Sequence, residues 1–152
     1  MSISQKSFRE MTGAEKAFIA GTIIWIFLQV VRFIALILIA DINAGDASEA
    51  WRYPAYLDLV AAVFAVPLIW AVWDRRGLFT WALTVSYWVI SIVDHIGNFV
   101  TTTFVGPPTI AEGTNPYMVP AIQTILDIVF LALLFVPTLR SLFFRIESTA
   151  QR

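Results

Sequence analysis

At 152 residues, with 59% hydrophobic and 14% charged side chains and a mean hydropathy of +0.76, the chain departs from soluble domains. Those carry roughly 45–50% apolar and about 25% charged residues. The balance excludes disorder, a coiled coil and an ordinary cytosolic enzyme, and leaves an integral membrane protein. A formal net charge of -1 gives no basic surface for nucleic acid. Without cysteine there is no disulfide, thiol nucleophile, Cys-bound zinc or iron–sulfur cluster, and one histidine cannot hold a haem between two histidines.

Four apolar runs follow one another. The first is Ala17–Ala40, which as a helix would rise roughly 36 Å against a hydrocarbon core of about 30 Å. The second runs from about Pro54 to Trp73 and contains Pro67; the third covers Leu78 to about Val100; the fourth covers about Tyr117 to Leu139. None alternates with the two-residue period of a membrane strand. The expected fold is therefore all-α: a polytopic membrane protein, one transmembrane domain over residues 1–152, built as an antiparallel four-helix transmembrane bundle. The first run is too long for a signal core and has no suitable small-x-small site after it, so it reads as a retained signal anchor.

Basic residues set the expected orientation. Lys6, Arg9, Lys16, Arg75, Arg76, Arg140, Arg145 and Arg152 fall on one side of four crossings. The other side has Arg52 beside Asp41, Asp46, Glu49 and Glu112. The positive-inside rule then makes both termini cytoplasmic, in a plasma or inner membrane. The link Asp74–Gly77 is tight and makes the second and third helices neighbours, whereas the outer loops are longer and the second is rich in Gly and Pro. No internal repeat is present, so an inverted-repeat transporter within one chain is not supported.

The ionisable residues inside the runs carry the functional question. They are Arg32, Asp58, Asp94, His95 and Asp127. One such charge at the bilayer centre costs roughly 2.5–3.5 kcal/mol, so these groups should face an interior or a wet cavity. Counted along the runs they fall in the outer half or near the middle, over an inner half almost free of polar groups. Helical spacing aligns Thr84, Tyr87, Ser91, Asp94 and Asn98 on one face, Thr22, Trp25, Gln29 and Arg32 on another, and Gln123 with Asp127 one turn apart. His95 is about 100° off its stripe, which suits a helix–helix contact as well as a site. Arg32 is too deep to reach water easily and should pair with Asp94 or Asp127; such a pair can be a mere fastener. One guanidinium against three carboxylates leaves an acid surplus, so at least one aspartate should hold a proton or a cation should join them.

Asp94, Asp127 and His95 are thus the candidates for acid–base work. Arg32, Asp58, Tyr87, Ser91, Asn98, Gln123, Gln29 and Trp25 are the candidates for binding. No metal-ligand set, nucleophile elbow, phosphate loop or dinucleotide fingerprint is present, and no cofactor is expected. Three functions fit. The leading one is a polar, carboxylate-containing pocket, open to the non-cytoplasmic side, that binds or transports a small solute or ion with proton coupling. An intramembrane enzyme doing isomerase-like acid–base chemistry on a lipid or sterol-like substrate is the second, and an accessory subunit of a larger membrane complex the third. The expected partners are membrane lipids, the solute, ion or lipid-like ligand, and a second copy of the chain or a membrane complex.

Overall fold

The computed structural model describes residues 7–108, 113 and 115–144, and every regular element among them is helical. Lys6, Glu112, Arg145 and Arg152 of the orientation argument lie outside the described residues. The first helical span, Gly13–Ala44, starts four residues earlier than its apolar run because of a capping box. Thr12 Oγ1 accepts from Glu15 N–H at 3.3 Å, and Glu15 Oε2 accepts from Thr12 N–H at 2.6 Å. The span is not uniform. Helix α1 (Gly13–Leu28) passes into a 3₁₀ segment, Gln29–Ile34, and then into α2 (Ala35–Ala44). Three residues per turn stack side chains i and i+3, and burial falls on Ile26, Gln29, Arg32, Ala35 and Leu38, each three apart.

Helix α2 continues past Ala40 and stops at Gly45, whose φ of 85° is left-handed and closes the end through Gly45 N–H to Ile42 O and Asp46 N–H to Asp41 O. Helix α3 (Arg52–Asp74) follows a short turn and contains Pro67; helix α4 (Leu78–Val105) runs five residues beyond Val100. It ends at Gly106, with φ 93°, whose carbonyl accepts from Trp51 Nε1 at 3.2 Å and so ties the start of α3 to the end of α4. Asn98 therefore sits within α4 and does not cap it.

Three helical spans are long and apolar enough to cross a membrane: Gly13–Ala44, Glu49–Asp74 and Leu78–Val105. The fourth apolar run does not form a single helix to Leu139. Helix α5 (Met118–Leu133) has 16 residues, and a break separates it from the short α6 (Pro137–Arg140). The cause is Pro137, whose ring disfavours helical geometry at the residue before it; Val136 is extended, with ψ 123°.

The link Arg75–Gly77 turns α4 back along α3. Helix α3 packs against the whole first span and against α4, and α4 packs against α3 and α5. Ile19, Ile26, Ala65, Val72, Trp88 and Leu134 form the larger apolar cluster between them. The outside is apolar as well: Phe27, Val31, Phe64, Phe79 and Phe104 are each more than half exposed, while Arg32, Asp94, His95 and Asp127 are buried. Polarity runs from inside to outside in the reverse of a soluble protein.

One end of the molecule gathers aromatic rings and cations. Phe8 meets Trp73 at 5.5 Å and lies under Lys16; Arg75 lies over Trp70; Arg140 lies over both Trp81 and Phe144. Arg76 is buried there and donates through Nη1 to the carbonyls of Val72 and Trp73, capping the end of α3; desolvation lowers its pKa from the ordinary arginine value.

Candidate functional site

Five ionisable side chains from four helical segments meet in one buried network. Arg32, brought inward by the 3₁₀ segment, donates from Nη1 to Asp94 Oδ2 at 3.1 Å, and the same atom is 3.4 Å from Asp58 Oδ1. Its Nη2 donates to Ser91 Oγ at 2.6 Å and stands 2.6 Å from His95 Nε2. His95 Nε2 is in turn 3.3 Å from Asp127 Oδ2 on α5, and Asp127 Oδ1 accepts from Trp25 Nε1 of α1 at 2.7 Å. Asp94, His95 and Asp127 are at most 1% exposed, whereas the Asp58 side chain is 25% exposed and links the network to the surface.

Arg32 thus pairs with Asp94, one of the two acids expected, and with Asp58; Asp127 is reached only through His95. Helix geometry explains this. Asp94 and His95 are consecutive and point about 100° apart, and α4 has neighbours on two sides. Asp94 faces the guanidinium and Asp58 of α3, while His95 turns toward α5. The Thr84–Asn98 stripe marks only the first of these faces. His95 is a hub that the stripe alone does not reveal.

The His95 contacts impose a condition on protons. A guanidinium can only donate, so Arg32 at Nε2 requires a lone pair on that nitrogen. Asp127 Oδ2 approaches the same nitrogen to 3.3 Å, a contact of charges without hydrogen-bond geometry, since Oδ2 has no hydrogen-bond partner among the described residues. One nitrogen therefore faces a fixed cation and a carboxyl group.

The remaining candidates are placed less centrally. Tyr87 is buried, and its hydroxyl donates to Ala61 O at 3.3 Å. Gln29 is wholly enclosed, and among the described residues neither amide atom has a hydrogen-bond partner; the same holds for Arg32 Nε, Asp94 Oδ1, His95 Nδ1 and Asp127 Oδ2. A buried polar atom without a partner costs about 1–3 kcal/mol, so the centre keeps unspent donor and acceptor capacity. Asn98 and Gln123 are only partly buried and do not join the hydrogen bonds of the network among the described residues. Trp88 is fully buried in the apolar cluster, and its Nε1 has no hydrogen-bond partner among the described residues. A cavity of about 290 Å³ lies on the apolar flank of α3 and α4, and Tyr87 lines its upper part. Among the described residues no group of three or more His, Cys, Asp or Glu could hold a metal ion.

Neither a family model, nor a curated protein, nor a solved structure matches this chain.

Proposed function

We propose that this chain is an integral membrane protein whose ionic centre binds a small cationic solute or ion, with a proton taking part. The carrying observation is the surplus of acid: two carboxylates pair with one guanidinium and a third is joined to it through His95, in a buried network that reaches the surface at Asp58. A cation beside these carboxylates, or a proton on one of them, balances the surplus. His95 Nε2, set between the guanidinium and Asp127, supplies a place where a proton can move as the charge changes.

The reading has the chain cross four times, with both termini cytoplasmic. Helix α5 rises about 24 Å, and the break with α6 supplies the rest of a roughly 30 Å core. The aromatic and basic end is then cytoplasmic, and the end holding Asp41, Asp46 and Glu49 lies outside. Single cysteines at Ser7 and Asp46 test this with an impermeant maleimide: labelling from opposite sides is expected, and labelling of both from one side overturns it.

For the activity, the protein is placed in vesicles containing a pH-sensitive dye, and gradients of sodium, potassium or tetraethylammonium are imposed. The expected result is cation-driven proton movement that Asp94→Asn or Asp127→Asn abolishes while the protein remains folded. No proton movement with any of the three cations, together with unchanged cation binding in both variants, sinks the proposal. The direct Arg32–Asp94 contact favours a second reading, in which the network only fastens the helices of a subunit in a larger membrane complex. In that case both Asn variants keep whatever activity the complex has.

A further inference from the structure

We propose that the α3–α4 flank is a binding site for one acyl chain of an anionic phospholipid, with the head group at Arg75. This rests on the membrane reading above but not on the cation activity. The flank is a half-open cavity of about 290 Å³, lined by Phe64, Leu68 and Ala71 of α3 and by Leu83, Ser86 and Ile90 of α4. A cavity of roughly 150 Å³ holds a benzene molecule, so this one has room for about a dozen carbon atoms. Phe64, Leu83 and Ile90 are 40–59% exposed, which opens the cavity sideways onto the apolar outer surface and not toward the polar centre. Small side chains make the hollow: Ala61, Ala71 and Ser86 stand where larger residues would fill it.

Charge and register choose the occupant. Residues one turn apart share a helix face, and Arg75 follows Ala71 by four, its N–H bonded to Ala71 O at 2.9 Å. Arg75 therefore stands one turn past the last lining residue of α3, with its side chain turned onto Trp70 and Asp74. Its side chain is 68% exposed, lies 5.2 Å over Trp70 and is 3.3 Å from Asp74, which is itself more than half exposed. A guanidinium has five donors, and the exposed ones suit a phosphate. Arg140 and Lys16 stand at the same end, against the rings of Trp81 and Phe8, and add to the positive field there. A chain lying from Ile90 down to Ala71 thus ends beside fixed positive charge, where an anionic head group is matched and a cationic one is repelled.

The test uses the full chain in phosphatidylcholine vesicles doped with spin-labelled phosphatidylglycerol or spin-labelled phosphatidylcholine. The motionally restricted signal should favour phosphatidylglycerol about three- to fivefold, the worth of one basic side chain at a membrane surface. Arg75→Gln should cut that preference to less than half, leaving what Arg140 and Lys16 contribute. Ser86→Phe alters an exposed position, should leave the fold intact by circular dichroism, and should remove the excess of phosphatidylglycerol while leaving the restricted signal that both lipids share around the rest of the outer surface. Equal signals in the unaltered protein, or a phosphatidylglycerol preference that survives Ser86→Phe, would overturn the proposal. A preference for a spin-labelled cationic amphiphile would place the head at the Asp94 end and overturn it too. If alkaline extraction strips the protein from the vesicles, the membrane reading falls and takes this proposal with it; retention with no lipid preference defeats this proposal alone.

Discussion

The two halves of α4 are equally hidden and differently built. Below, Trp88 lies against Phe130 at 6.0 Å and Tyr87 at 5.0 Å, within the cluster that includes Ala65 and Leu134. Above, Ser91, Asp94 and His95 hold Arg32 and face Asp127. Apolar contacts are non-directional, and a core of about the right volume tolerates many sequences. An ionic network works in one arrangement and leaves a charge stranded in every other. The lower half holds the helices by burial of apolar surface, and the upper half by matched polar contacts.

Substitutions in each half can break this contrast. The largest effect is expected from Arg32→Met, because removing one member of a buried ionic cluster costs about 3–5 kcal/mol. Thermal unfolding in detergent should show a far larger drop in Tm than for the exposed Arg75→Met. Small, equal drops would mean that Arg32 is solvated. Leu134→Ala comes next: it opens a cavity in the lower cluster, at about 2–5 kcal/mol, and should lower Tm while cation binding in the upper half stays as it was. Loss of binding in that variant would show that the halves are not separable.

Trp25→Phe should cost less, about 1–3 kcal/mol for leaving the buried Asp127 Oδ1 without its donor. A double-mutant cycle with Asp127→Asn measures the coupling directly; additive effects would show that the 2.7 Å contact contributes nothing. The smallest effect is expected from Arg52→Gln. Its partner Glu49 is 72% exposed, so the bidentate pair at 2.6 and 2.7 Å is largely screened by water and Tm should change by no more than a degree or so.

The apolar runs were legible in the sequence because hydropathy reports which stretches avoid water. Helix ends were less so, because caps set them and hydropathy does not. The first span starts at Gly13 through Thr12 and Glu15, and α2 and α4 continue through Asp41–Asn43 and Thr101–Thr103 until Gly45 and Gly106 stop them. Pro137 carried the opposite information, since it breaks a run that hydropathy makes continuous. At the centre, the stripe on α4 led to Ser91 and Asp94. The contacts of His95 and Asp58 depend on which helices flank α4, and periodicity along one helix holds no record of its neighbours. The 3₁₀ segment left no mark either: Gln29–Ile34 contains neither glycine nor proline, and tertiary contacts at Arg32 accompany the change of winding.

That segment makes the first span a screw with two threads. A 3₁₀ turn advances each residue by about 120° and 2.0 Å, against about 100° and 1.5 Å in an α-helix. Over the six residues Gln29–Ile34, rewinding to the α thread would turn α1 against α2 by about 120° and shorten the span by about 3 Å. Arg32 lies on the part that turns. The contacts of its guanidinium with Asp94 and Ser91 are therefore made in the 3₁₀ register, and rewinding the segment would carry Arg32 away from them.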